Sequence, residues 1–271
     1  MTDRERLSGY VDTWWQAVND FLDLLEQVPA DRWHAPTDLP GWDVHAVAAH
    51  VAHLESVLTG APEELVEIGE PEHVRGPLGV YTEQGVVARR DRTPDQLINE
   101  IRGAATARHT TLLADPPTDG SARPERIFGG VPWDWERLLR NRPLDVWMHE
   151  QDVRRAVDLP GGLDSAGARH TAAYLAESLG VVLAKRVGAP AGTTAVLEVG
   201  GQPPMAYRVT DAGRGEPLPG IPPDPTVCLR LEREAFVVLA GGRREPERGC
   251  VEITGDVELG RRILASFAVT P

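Results

Sequence analysis

The stretch RPLDVWMHEQDVRRA, residues 142–156, carries Asp145, His149 and Asp152 at positions i, i+4 and i+7. At ~3.6 residues per turn an α-helix would set these three side chains in one narrow stripe. Such a stripe can grip a metal ion, or it can be the wet edge of a surface helix. A catalytic Zn²⁺ takes three protein ligands and keeps one position open, so Asp145 and His149 need a third donor from elsewhere in the chain. His50, in GWDVHAVAAHVAHLES, is the best supplier, because it borders the apolar face made by Val47, Val51 and Leu54. His53 borders the same face one turn on and is the nearest candidate for a fourth ligand, which would close the site and make it structural. His45 lies farther around the helix. Asp152 follows His149 by three residues, close enough to touch the imidazole and fix its tautomer, as carboxylates behind metal-bound histidines do; Arg154 and Arg155 are its competing partners. Glu150 points to a different side and is expected in solvent.

Other chemistries find little support. The chain has no G-x-S-x-G elbow, no P-loop and no G-x-G-x-x-G after a strand. Its two cysteines, Cys228 and Cys250, sit in apolar, strand-like runs with no obvious histidine partner and read as reduced packing residues. If the protein is an enzyme, its nucleophile arrives from outside.

The elements that must position the stripe are helical. The 271 residues exceed one compact core and favour two domains. With 41% hydrophobic and 25% charged residues the composition is globular. A balance of 41 acidic against 28 basic residues, net charge −13, repels a phosphate backbone and argues against a nucleic-acid partner. No apolar run approaches the ~20 residues of a membrane span, and MTDRERLSGY lacks the apolar core of a signal peptide, so the expected location is cytoplasmic with no membrane partner.

Thr2 with Glu5 makes a capping box for a helix over about 3–27, and Asp43 caps a second over about 44–59. PEELVEIGEPEHVRGPLG, within residues 62–80, is poor helix material and reads as a long loop. Thr93, Pro94 and Gln96 start a third helix running to about 114. A fourth, over about 134–157, holds the stripe, with Pro143 expected to bend it or mark a new start. A fifth spans about 164–187. All seven tryptophans precede residue 150, and from Thr193 the period shortens: TAVLEV, MAYRVT, VCLRLE and CVEITG alternate like half-buried strands, with helices in REAFVVLAG and DVELGRRILASF. The segment 213–225 reads as a proline-rich loop. The expected architecture is α+β in two domains, helical over 1–188 and a small α+β module over 189–271.

Three segments in this order, LPGWDVHAVAAHVAHLES, DVWMHEQDVRRAVDLPGG and GCVEITGDVELGRRILASFAVTP, resemble the mycothiol-dependent maleylpyruvate isomerase family, over nearly the whole chain. The resemblance implies a DinB-like four-helix metal-binding domain followed by a sterol-carrier-like domain. It implies a divalent metal, usually zinc, held by His50, Asp145 and His149, with Asp145 standing where the family commonly has Glu. Arg243 is the match for a basic residue that binds anionic substrate or thiol. The implied co-substrate is mycothiol and the implied partner a small electrophile. In the isomerase reaction the sulfur adds to the double bond of maleylpyruvate, the resulting single bond rotates, and elimination gives fumarylpyruvate. The same site could also serve an S-transferase. The competing class is a non-catalytic protein in which a metal braces the bundle and the C-terminal module holds a small molecule.

Overall fold

A computed structural model describes residues 1–247 and 249–270. Two compact units divide the chain, Met1–Ala168 and Arg169–Pro271. The sequence reading sets the boundary after residue 188, whereas the density of contacts sets it before most of the helix that follows Ala166.

The first unit is built on α1 (Asp3–Leu25), α2 (Val44–Leu58), α3 (Gly76–Val87), α4 (Pro94–Ala114) and α5 (Trp135–Val157). α1 packs along α5, α2 along α4, and the pairs α1 with α4 and α2 with α5 close a four-helix bundle, with α3 laid against α2. The caps are those that the sequence specifies. Thr2 and Glu5 form a reciprocal box, Asp43 accepts from the Ala46 amide, and Thr93 with Gln96 repeats the box ahead of Pro94. Each satisfies amides that a helix start leaves without partners.

Three local expectations are corrected. Pro143 does not mark a new start: α5 continues through it, since the buried faces on both sides of this proline hold the helix together and offset the lost hydrogen bond, a cost of ~3 kcal/mol. The loop of 62–80 ends earlier, because Gly76 at φ +63° and Pro77 start α3, whose Gly/Val-rich sequence carries almost no helical periodicity. Glu150, expected in solvent, is fully buried against Arg154, whose Nε donates to it at 2.7 Å. The turn at 158–162 folds back over it, with Gly162 beside its carboxylate.

α6 (Ala166–Ala176) spans the boundary and is followed in the second unit by α7 (Leu179–Val181) and a π-helical turn (Val182–Arg186), so the single helix expected over 164–187 is interrupted. β1 (Thr194–Val199), β2 (Met205–Val209), β3 (Gly215–Pro217), β4 (Val227–Leu231) and β5 (Val251–Gly255) form one sheet in the order β3-β2-β1-β4-β5. β1 and β4 are parallel and the other neighbours antiparallel. β3 falls inside the expected proline-rich loop; it is a three-residue edge strand, where Pro217 costs no inner ladder bond. α8 (Arg233–Ala240) and α9 (Val257–Ala265) complete the module, and Phe236 and Phe267 meet edge to face at 5.4 Å in its core. Among the described residues no helix is long and apolar enough to cross a membrane.

All fifteen residues of α2 are buried, which its Ala- and Val-rich sequence permits. α3 comes so close that a Cβ on Gly85 would stand 2.2 Å from the His53 ring. Gly85→Ala is therefore expected to lower unfolding free energy by ~1–3 kcal/mol in a urea titration, despite alanine's better helix propensity.

Candidate metal centre

A helix buried all round cannot leave its polar side chains to water, so each must find a partner inside the protein. α2 carries five: His45, His50, His53, Glu55 and Ser56. His45 Nε2 meets the carbonyl of Arg92 at 2.8 Å, and Ser56 donates to Glu100 at 2.9 Å. His50 is the exception. Both of its ring nitrogens are buried and neither has a hydrogen-bond partner.

What faces His50 is the predicted stripe of α5. Its Nε2 lies 3.6 Å from Asp145 Oδ2, too long for a hydrogen bond, and His149 Nε2 lies 3.7 Å from Asp145 Oδ1. The two imidazoles meet nearly edge to face at 4.8 Å. One donor atom from each of His50, Asp145 and His149 falls within 4.8 Å of the others. Donors ~2.0–2.2 Å from a shared tetrahedral ion stand ~3.3–3.6 Å apart; the two histidine–carboxylate distances lie close to that spacing, and the cluster as a whole, within 4.8 Å, would draw together on a cation. Two imidazoles and a carboxylate are also the donor chemistry that Zn²⁺ and similar divalent metals prefer. The residues fit the metal.

Electrostatics favour the same assignment. Burial lowers the His50 pKa and outweighs Asp145, which pulls it up, so the imidazole is neutral and able to donate a lone pair. Burial alone would raise the Asp145 carboxyl, but the Arg142 guanidinium beside it holds it well below the usual carboxylate range. A neutral imidazole and an ionised carboxylate are the protonation states in which these groups bind a metal.

Asp152 lies against the His149 ring. Its Oδ2 meets His149 Nδ1 at 3.2 Å, while Oδ1 accepts from Arg155 Nη2 at 2.7 Å, so histidine and arginine share one carboxylate rather than compete for it. Arg155 is itself held by Asp38 at 2.6 Å. With Nδ1 committed to Asp152, Nε2 of His149 is the nitrogen that faces Asp145. Arg243 lies in the second unit, where Nη1 donates to the carbonyl of Gly241 at 2.7 Å and to Thr270 at 3.3 Å.

His53 does not join the cluster. Its Nδ1 faces Arg89 Nη1 at 3.4 Å and its ring packs on Tyr81 at 5.0 Å, which leaves three converging donors among the described residues.

Sequence reasoning missed the framing residues. Trp42 lies 4.9 Å from His50 and 6.0 Å from His149, ring to ring, and is anchored by its Nε1 on Glu83 at 2.8 Å. Arg142 donates to Asp145 at 2.9 Å and to Glu55, and Glu55 also receives Arg108 and Trp14. The signal was present in VHAVAAHVAHLESVL: the single acid of a helix rich in alanine and valine is buried and must be paired.

Fold and site together define the class: a helical bundle with a three-donor His/Asp cluster, followed by a sheet-containing domain, in a two-domain α+β protein. The model of the Mycothiol maleylpyruvate isomerase N-terminal domain matches residues 14–154, and that of the MDMPI C-terminal domain matches residues 169–262. The chain belongs to the mycothiol maleylpyruvate isomerase family. Two uncharacterized proteins from strains of Mycobacterium tuberculosis are 27% identical to it over 145 residues, 52% of this chain and 54% of theirs. The chain thus spans about half the length of the curated relatives it matches. Crystal structures of the mycothiol-dependent maleylpyruvate isomerase and of a point mutant of it align with TM-score 0.53 at 18% and 17% identity, over 94% of this chain and 95% of theirs. At that identity the likeness speaks for the fold.

Burial, then Arg89 and His50, depress the His53 pKa from 6.5 to about 3, so the folded protein holds this ring neutral where the unfolded chain protonates it. The stability it contributes is complete above about 6.5 and is lost as pH falls toward about 3, where the unfolded state binds up to one more proton. Urea titrations across that window are expected to show a shallower acid decline in His53→Gln than in the unaltered protein.

Proposed function

We propose that this protein is a metal-dependent enzyme that activates a low-molecular-weight thiol, mycothiol, for addition to a small electrophile, as a maleylpyruvate cis-trans isomerase or a thiol S-transferase. The observation that carries the proposal is the convergence of His50, Asp145 and His149 around buried nitrogens that have no other partner. Membership of the family supports the thiol and the isomerase chemistry.

His50, Asp145 and His149 would hold the ion. A bound divalent metal, zinc being the best match to two imidazoles and a carboxylate, favours the thiolate form of a thiol whose pKa in water is ~8.5. The chain's own residues prepare the site for this. Asp152 fixes the tautomer of His149 and orients its ring. Arg142 keeps Asp145 ionised and in place. The Trp42 indole packs against both imidazoles and helps to frame the site. Neither Cys228 nor Cys250 lies in the helical unit, in keeping with a nucleophile supplied by the co-substrate. Arg243 is the candidate to hold an anionic group of thiol or substrate.

Three converging donors, with His53 turned to Arg89, favour the catalytic reading over a metal that only braces the bundle. The purified protein is expected to contain about one equivalent of divalent metal and to turn over maleylpyruvate, or to consume an electrophile, only when mycothiol is present. His149→Ala should lose the metal and at least ~100-fold in rate while keeping its helical circular dichroism. A metal-free protein with full thiol-dependent turnover, or full metal content in His149→Ala, would contradict the proposal.

A further inference from the structure

Glu55 lies in the last turn of α2, with its side chain fully buried. Its Oε1 accepts from Trp14 Nε1 at 3.0 Å and from Arg142 Nε and Nη2 at 3.1 and 2.7 Å, and its Oε2 accepts from Arg108 Nη1 at 3.3 Å. Three edges of the bundle, from α1, α4 and α5, therefore end on one carboxylate. Arg142, equally buried, uses its remaining Nη1 to hold Asp145 Oδ2 at 2.9 Å. Arg108, Glu55, Arg142 and Asp145 form a chain of alternating charges that sums to zero, in a region where an unbalanced charge would be strongly destabilising.

We propose that Glu55 is a positioning residue of the metal centre: through Arg142 it fixes the Asp145 carboxylate and restrains the arginine from competing with the cation for it. This rests on the metal-centre reading above. The guanidinium is permanently charged and planar, so what it gives to Asp145 depends on what else its fork is bound to. Two of its N–H groups are committed to Glu55, and this leaves Asp145 a single hydrogen bond. That bond orients the short acid while Oδ1, the oxygen nearer His149, stays outside it. Without the charge of Glu55 the whole Arg142 cation would face Asp145, draw the carboxylate to itself and repel a metal ion a few ångströms on.

The test compares Zn²⁺ dissociation constants, from competition with a chromophoric chelator, and the visible absorption of the Co²⁺-loaded protein, in Glu55→Gln, Arg142→Lys and Glu100→Gln. Arg142→Lys keeps the charge but cannot reach Glu55 and Asp145 together as a fork; it carries the test if Glu55→Gln does not fold. Glu100→Gln is the control, because Glu100 is held by Arg89 and Ser56 in the same bundle without touching Arg142. Glu55→Gln and Arg142→Lys are each expected to weaken Zn²⁺ binding by ~10–100-fold and to shift the Co²⁺ absorption bands, with Glu100→Gln changing neither. Unchanged binding and spectra in Glu55→Gln and Arg142→Lys, or an equal loss in Glu100→Gln, would overturn the proposal while leaving the metal centre standing. Failure of the unaltered protein to bind either ion would overturn the metal centre and this proposal with it.

Discussion

The structure turns on the burial of α2. A helix enclosed by three others has no solvent to hydrate its polar groups, so each polar side chain on it dictates a partner on a neighbour. Glu55 dictates Arg142, Arg108 and Trp14; Ser56 dictates Glu100; His53 faces Arg89. Through Arg142 that demand reaches Asp145, and so the charge balance of the bundle interior also sets the geometry of its candidate metal ligands. His50 is left without a hydrogen bond on either nitrogen, and Asp145 and His149, which approach it beside the Trp42 ring, are groups with which it could share a cation.

Much of this was legible from residue order. Capping residues are short-range signals, and Thr2, Asp43, Thr93 and Gln96 act in the structure as their spacing indicates. The strand-like runs after Thr193 are strands, and the stripe of Asp145, His149 and Asp152 lies on one helix because i, i+4 and i+7 leave little choice. His50 was found from the border of an apolar face, a criterion that translates into a buried position facing a neighbouring helix.

What was not legible depended on tertiary packing. Pro143 reads locally as a bend or a new start, and the buried faces along α5 carry one helix through it. α3 carries no periodicity to detect, and its start depends on the φ of Gly76. Glu150 looks like a surface acid until the 158–162 turn closes over it and burial pushes its carboxyl up to about 6. The Arg108–Glu55–Arg142–Asp145 chain joins residues from three helices, and no local pattern links them. A long-range clue existed all the same, in one acid amid alanines, valines and histidines.

The central claim is that His50, Asp145 and His149 bind one divalent ion. Anomalous diffraction from crystals of the protein, recorded on both sides of the zinc absorption edge after growth with Zn²⁺, locates the ion without reference to activity. The account predicts a single strong peak between His50 Nε2, His149 Nε2 and the Asp145 carboxylate. A peak elsewhere on the chain, or none at these three residues with Zn²⁺ in the crystal, would contradict it.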